Sequence, residues 1–159
     1  MTGPTPALTI RPAGPADLAA VERIERASFG DPWSRSALFG ELHADAMRLP
    51  LVAELAGEVC GFLMAWRVVD QLHVLNVAAA PAVRRRGVGT ALLLEAARLA
   101  RADGLREITL EVREGNRAAR DFYRRHGFAE SGLRPRYYAD NGEDAIIMTC
   151  AVSRVLDGP

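Results

Sequence analysis

One segment of the chain decides the fold: Leu75-Asn76-Val77-Ala78-Ala79-Ala80-Pro81-Ala82-Val83-Arg84-Arg85-Arg86-Gly87-Val88-Gly89-Thr90. It reads as a strand, a short basic turn and the start of a helix. The first N–H groups of a helix lack intrahelical partners, so phosphate oxygens are natural ligands for them. Gly87 and Gly89 allow close approach and unusual φ angles. The segment predicts a phosphate-binding turn. An ordinary tight turn stays open as the alternative, because Leu92 replaces the third glycine of a dinucleotide fingerprint.

Sequence patterns on both sides of this segment predict alternating strands and helices. Periodicity and breakers place strands at about 8–11, 51–55, 59–69, 72–79, 107–112, 128–138 and 144–152, and helices at 16–28, from Ser34 onward, 87–103 and 116–126. Ser34 and Asn116 are predicted N-caps, and Gly104 and Gly127 predicted helix stops. The order predicts an α/β (α+β) fold with a mixed central sheet of six to seven strands and about four helices. We expect a single domain over 1–159, with a core at about 8–152 and frayed tails at 1–7 and 153–159.

Composition excludes several classes of protein. The formal net charge is zero, which argues against direct nucleic-acid binding, although residues 81–159 hold 14 Arg against 11 acidic residues. The chain has no Lys, so it has neither a Walker-type phosphate loop nor a Schiff-base lysine. The cysteines and histidines lack metal-site spacing, which predicts no metal; they are Cys60, Cys150, His43, His73 and His126. With no membrane-length apolar run and no signal pattern, we expect a cytoplasmic protein that does not contact membranes.

A second informative segment runs from Leu110 to Phe128. Glu111 lies in an otherwise apolar strand, where a carboxylate is costly to bury without a purpose or a partner. It is a candidate general base or, alternatively, an edge residue that faces water or an arginine. Tyr123 follows on the next helix. Its phenol is a candidate proton donor for a leaving thiolate or, alternatively, a core aromatic.

These motifs resemble those of known acetyltransferases. Arg84-x-x-Gly87-x-Gly89 resembles the pyrophosphate-binding turn of the GNAT superfamily. The pattern L-E-V-R-x-x-N-x-x-A-x-x-x-Y-x-x-x-G-F, with the Tyr137-Tyr138 pair and Asp31-Pro32-Trp33-Ser34, is similar to the RimI-type N-terminal acetyltransferases over about residues 8–151. The resemblance implies a GNAT fold, acetyl-coenzyme A as co-substrate and a protein N-terminus as acceptor. In that family the known acceptor is a small-subunit ribosomal protein with an N-terminal alanine.

The resemblance also implies site residues. The base is Glu111, the acid is Tyr123, and Asn116 binds the cofactor. Further cofactor contacts are implied from main-chain groups of Val77, Ala78, Ala79, Arg85, Arg86, Gly87, Val88, Gly89 and Thr90. We expect Trp33, Tyr137 and Tyr138 to wall a peptide groove, with packing roles as the alternative. One position departs from the family, because Gln71 stands where many relatives have Glu.

Two other functions stay open at this point. The same catalytic domain could act on a lysine side chain or a small-molecule amine. A protein of another class, a binding module that senses acyl-coenzyme A without turnover, would use the same turn. The presence of candidates for both proton transfers favours an enzyme.

Overall fold

The computed structural model describes residues 7–158, which divide into two compact units. The first contains the chain up to Ala65 together with Asn76–Glu95, and the second contains Trp66–Leu75 and the chain from Ala96 onward. Most of the predicted N-terminal tail, residues 1–6, and the last residue, Pro159, lie outside the described residues. The single domain stays a prediction.

Seven strands and five α-helices make up the described chain. The strands are β1 Leu8–Pro12, β2 Arg48–Leu55, β3 Glu58–Val68, β4 Gln71–Ala79, β5 Glu107–Arg113, β6 Ala129–Arg134 and β7 Ala145–Ala151. The helices are α1 Leu18–Ser28, α2 Arg35–Glu41, α3 Val88–Ala102, α4 Arg117–Arg125 and α5 Val152–Asp157. The strands form one mixed sheet in the order β1-β2-β3-β4-β5-β7-β6. The predicted fold class is confirmed. Within residues 7–158, no helix has both the length and the apolar character needed to cross a membrane.

The first unit is built on antiparallel strands and a helical cover. β1 pairs with β2 from Leu8 opposite Leu55 to Pro12 opposite Leu51. Between β2 and β3, Ala56 and Gly57 both have positive φ, as a tight hairpin turn requires. The α1 residues at helical spacing are buried in a core cluster with side chains of α2, β2 and β3: Leu18, Val21, Ile24, Leu38, Leu42, Val52, Phe62 and Met64.

Along β5 in the second unit, buried residues alternate with half-buried ones. Ile108, Leu110 and Val112 are buried, which leaves Glu111 on the opposite face of the strand. β5 pairs with β4 in parallel at residues 107–110, and with β7 antiparallel along its full length. β6 pairs with β7, with a register shift between Glu130 and Gly132.

The predicted helix ends are confirmed by their hydrogen bonds and dihedral angles. The Ser34 side chain accepts from the Ala37 N–H (3.1 Å), and the Asn116 side chain accepts from the Ala119 N–H (3.1 Å). Gly104 and Gly127, which follow α3 and α4, have φ of 77° and 94°. Only glycine adopts this left-handed region without steric cost, so both helices end where the sequence indicated.

Two predicted boundaries are wrong. β6 ends at Arg134 rather than near Tyr138, because Pro135 has no N–H to donate and Arg136 turns the chain with φ of 49°. The predicted C-terminal tail is instead the helix α5. Val152 and Val155 are buried there, and burial of apolar side chains stabilises a helix too short to form alone.

Candidate active site

The predicted phosphate turn connects β4 to α3 in the first unit. A short 3-10 turn at Pro81–Val83 follows β4, and α3 begins at Val88. Between them Arg85 and Gly87 have positive φ, 65° and 80°. No heavy atom of residues 7–158, apart from Gly87 and its chain neighbours, lies within 4 Å of the position a Gly87 Cβ would take, so the space beside the turn is open. The two glycines therefore differ in role: Gly87 shapes the turn, and Gly89 lies within the helix's first turn.

The main-chain amides of this turn divide into bonded and available groups. The Ala91 N–H donates to the Gly87 carbonyl (2.9 Å), which is the first bond of α3, and the Arg86 N–H donates to the Val83 carbonyl (3.3 Å). Within residues 7–158, the N–H groups of Gly87, Val88 and Gly89 donate to no main-chain carbonyl outside helices and strands. Three successive amides at a helix start suit an anion, whereas the predicted Arg86 contact would have to share its amide.

Arg84, the first residue of the motif, is exposed, but its guanidinium is hydrogen-bonded to the protein. Its guanidinium donates to the Ala79 carbonyl (3.3 Å) and to the Ser28 hydroxyl (3.1 Å) at the end of α1. The arginine therefore ties α1 to the end of β4. It also uses the carbonyl of Ala79, one of the groups predicted to face the pantetheine arm.

A buried carboxylate beside β4 is the main residue that sequence reasoning missed. Glu25 is 1% exposed; its Oε1 accepts from the Asn76 side-chain amide (2.6 Å), and its Oε2 accepts from the Trp33 N–H (3.1 Å). Burial raises the pKa of Glu25, and the hydrogen bonds from Trp33 and Asn76 act in the opposite direction. A signal was present, because Glu25 occupies the apolar stripe of α1. Trp33 thus has its backbone fixed by Glu25 and its ring packed on the core.

Gly61 is a second residue whose importance the sequence did not show. A Cβ there would lie 2.7 Å from Val88 Cγ1 and 3.1 Å from the Ala78 carbonyl oxygen. The absence of a side chain lets the first turn of α3 pack directly on β3. An isolated glycine inside a strand pattern was the available signal, since it often marks such a close approach.

Glu111 lies in a polar cluster of the second unit. Its side chain is 15% exposed, and its Oε1 accepts from Arg134 Nε (2.9 Å). Glu111 lies near the Tyr137 hydroxyl and, together with burial, raises the pKa of Tyr137. The structure therefore brings one predicted catalytic residue together with one predicted substrate-binding residue.

The loop that carries both tyrosines is anchored by Arg113. The Arg113 guanidinium bonds to Asp140 (3.0 Å) and Glu143 (3.3 Å) and lies 3.9 Å over the Tyr138 ring. Burial raises the pKa of Tyr138 to about 12. Tyr137 is about half exposed, and its ring meets that of Tyr138 edge-on at 5.2 Å. Tyr138 is thus the packed member of the pair, and Tyr137 is the accessible one.

Tyr123 is buried on α4 in an aromatic environment. Its ring centroid lies 5.4 Å from that of Phe128 and 5.2 Å from that of Phe122. Burial raises the pKa of its phenol, which keeps the hydroxyl protonated at neutral pH. Seven residues earlier, Asn116 uses its side-chain oxygen to cap the helix, so its amide hydrogens are the groups left to meet a ligand.

The position that departs from the family pattern is hydrogen-bonded within the sheet. Gln71 and Glu107 are register partners in the parallel β4–β5 pair, and Gln71 Nε2 donates to Glu107 Oε1 at 2.7 Å. A neutral amide is the natural partner of this carboxylate, whereas a second carboxylate would repel it. Among residues 7–158, no group of three or more His, Cys, Asp or Glu is placed to hold a metal ion.

Comparisons with known proteins assign the family. Residues 18–128 match the Acetyltransferase (GNAT) family. The chain belongs to this family. The ribosomal protein bS18-alanine N-acetyltransferase of Salmonella typhimurium is 34% identical to this GNAT protein over 147 residues, which cover 91% of this chain and 98% of that protein. The predicted family and the predicted class of enzyme, an acetyltransferase, are therefore confirmed.

Solved structures agree with this GNAT assignment. The ribosomal-protein-S18-alanine N-acetyltransferase from Escherichia coli has a TM-score of 0.84 at 31% identity, covering 92% of this chain and 94% of that chain. The PaiA N-acetyltransferase from Thermoplasma acidophilum, solved in complex with coenzyme A, has a TM-score of 0.78 at 21% identity, covering 91% of this chain and 99% of that chain. The second likeness shows the fold alone.

Proposed function

We propose that this protein transfers the acetyl group of acetyl-coenzyme A to the N-terminal α-amine of another protein. The proposed acceptor is the N-terminal alanine of a small-subunit ribosomal protein. The observation that carries the donor assignment is the start of α3, where Gly87 keeps open space beside successive amides without main-chain acceptors. The similarity to two S18-alanine acetyltransferases over nearly the whole chain supports the acceptor. Such a reaction belongs in the cytoplasm.

The residues at this turn fit the diphosphate of coenzyme A. We assign it the main-chain groups of residues 85–90, with Gly87, Val88 and Gly89 as the principal donors. Asn116, in the second unit, is assigned to cofactor binding. Main-chain groups of Val77, Ala78 and Ala79 are assigned to the pantetheine arm. Bound acetyl-coenzyme A supplies an activated acyl group, and no metal is needed for its transfer to an amine.

The protonation state of the acceptor amine decides whether the enzyme must supply a strong base. An α-amine has a pKa of about 8, so a sizeable minority is neutral at pH 7, whereas a lysine amine near 10.4 is about two units harder to deprotonate. Glu111 is assigned as the base that takes the amine proton, directly or through a water. Tyr123 is assigned as the acid, because its buried phenol stays protonated until a thiolate needs the proton.

Trp33 of the first unit, and Tyr137 and Tyr138 of the second, are assigned to peptide binding. Trp33 has a fixed backbone, and Tyr137 is accessible. Aromatic side chains offer apolar area at small entropic cost, so they suit the first side chains of an incoming peptide. This assignment makes a peptide, and not a small amine, the preferred acceptor.

The test is a panel of acceptors with acetyl-coenzyme A, scored by thiol release and mass. We expect acetylation of a lysine-free peptide that begins with alanine. We expect little reaction of a second peptide that is blocked at its N-terminus and contains an internal lysine. Preference for the lysine peptide or for a small amine would overturn the acceptor. Binding of coenzyme A without thiol release would make the protein a sensor.

The base assignment has its own variant pair. Glu111→Gln should lower kcat at least 100-fold, because loss of a general base usually costs roughly 10²–10⁴ in rate. Its affinity for coenzyme A should be unchanged. The control is Glu114→Gln, which changes an exposed glutamate just beyond β5. A loss confined to coenzyme A affinity in the Glu111 variant would contradict its role as the base.

A further inference from the structure

The ion pair between Glu111 and Arg134 is unequal in exposure. The Glu111 side chain is 15% exposed and the Arg134 side chain 54%, although Arg134 Nε lies 2.9 Å from Glu111 Oε1. Arg134 is the last residue of β6, an exposed strand that ends the sheet, whereas β5 lies two strands further in. The carboxylate is thus the buried partner of the pair, and the guanidinium, which also lies 6.0 Å from the centroid of the Tyr137 ring, is the exposed one.

The acceptor proposed above carries the same charge as this guanidinium. An α-ammonium with a pKa of about 8 is roughly nine-tenths protonated at pH 7. To lose its proton directly to Glu111, the amine must reach a carboxylate oxygen, and Arg134 already occupies Oε1. Exposed ion pairs change an equilibrium constant by no more than about fivefold, so a second cation can displace the first.

Arg113, a second arginine near Glu111 in the chain, is not a competitor. Arg113, two residues after Glu111 on β5, bonds to Asp140 and Glu143 and stacks over the Tyr138 ring. The Tyr137 hydroxyl is neutral, so it does not compete with an ammonium for the charge of Glu111. Arg134 is therefore the cation that an incoming ammonium would replace.

We propose that Arg134 is a displaceable counter-ion of Glu111: its guanidinium holds the carboxylate in the free enzyme and leaves when the acceptor's α-ammonium binds. This inference rests on the proposed function. Arg134 is a positioning residue. Other cations should therefore bind Glu111 weakly in the free enzyme, because each must first break its ion pair with Arg134. Removal of the guanidinium should then make binding of the acceptor tighter.

The test measures peptide affinity by calorimetry on full-length protein saturated with coenzyme A. One ligand is a lysine-free peptide beginning with alanine, and its matched partner has propionyl in place of alanyl, which removes only the ammonium group. For Arg134→Gln we expect a two- to fivefold lower Kd for the alanyl peptide, the full worth of an exposed ion pair, and no change for the propionyl peptide. Arg134→Lys, which keeps the charge, should stay near wild type.

Two controls separate displacement from general effects of charge. Arg136→Gln removes an exposed arginine two residues away and should leave both peptides unaffected. In a Glu111→Gln background, Arg134→Gln should have no effect, because the carboxylate that both cations seek is gone.

The inference is overturned if Arg134→Gln weakens the alanyl peptide, changes both peptides equally, or leaves both unchanged, and equally if the alanyl peptide binds no form of the protein. The proposed function is judged separately by wild-type turnover. A wild type that binds the peptide without acetylating it would refute the function while the affinities still decide the role of Arg134.

Discussion

Replacing Gly61 by alanine tests how α3 is positioned. The new methyl carbon would lie 2.7 Å from Val88 Cγ1, about 1 Å closer than the 3.5–4.0 Å at which carbon atoms attract. Val88 is buried and β-branched, so its side chain has few alternative rotamers. The Ala78 carbonyl oxygen, 3.1 Å away, blocks retreat in another direction. The first turn of α3 must therefore move.

The expected loss of stability in Gly61→Ala comes from overpacking, and a second substitution, at Val88, can isolate it. Added methyl groups in a packed core cost about 1–3 kcal/mol, so Gly61→Ala should lower the free energy of unfolding by that amount. Val88→Ala removes two methyl groups and should cost about 2 kcal/mol. In the double variant the clashing atom is absent. We expect its stability to lie within about 0.5 kcal/mol of Val88→Ala alone, a strong departure from additivity.

Urea denaturation at pH 7 measures these free energies, and calorimetry with coenzyme A measures the effect on the turn. Because Val88 is the first residue of α3, a shift of that turn should weaken coenzyme A in Gly61→Ala. Gly40→Ala is the matched control: the position is helical, has no atom within 4 Å of its missing Cβ and no positive φ, so it should stabilise by up to about 1 kcal/mol. Additive free energies in the double variant would refute the packing argument.

Three further predictions concern single residues. Gly87→Ala fits the open space but not the φ of 80°, so it should cost about 1–2 kcal/mol of stability and weaken coenzyme A; unchanged affinity in calorimetry would count against the turn. Tyr123→Phe should lower thiol release at unchanged coenzyme A affinity, and full turnover would leave Tyr123 a packing residue. Burial raises the folded-state pKa of Glu25, so the contribution of this residue to stability is complete below its unfolded-state pKa and is lost as pH rises through the folded-state pKa. In urea denaturation from pH 4 to 7, the free energy of unfolding of Glu25→Gln should therefore rise relative to that of wild type. A difference that does not depend on pH would contradict this.

The elements that sequence predicted well are those with local signals. Ser34 and Asn116 cap helices by bonds to residues three positions away, and Gly104 and Gly127 end helices by their own φ. Such features depend on a few neighbouring residues, so the chain itself reports them. The helix α5 was missed because its stability comes from burial of Val152 and Val155, which depends on where the rest of the chain lies.

The candidate site divides in the same way. The turn with Gly87 could be predicted because the residues that form it are contiguous. The contacts of Glu111 could not: Arg134 and Tyr137 are 23 and 26 residues away and reach it through the pairing of β5, β7 and β6. A sequence pattern identifies a carboxylate at position 111, whereas the register of the sheet decides which groups hold it.

Gln71 shows why a departure from a family pattern needs its structural partner before it is interpreted. From sequence, an amide where relatives have a carboxylate suggests an altered substrate or rate. In the sheet, Gln71 is the register partner of Glu107 and donates to it at 2.7 Å. Two ionised carboxylates directly across a strand pair would repel, whereas the amide at 71 donates to Glu107. The amide therefore has a structural role in the pairing of β4 with β5, whatever the acceptor is.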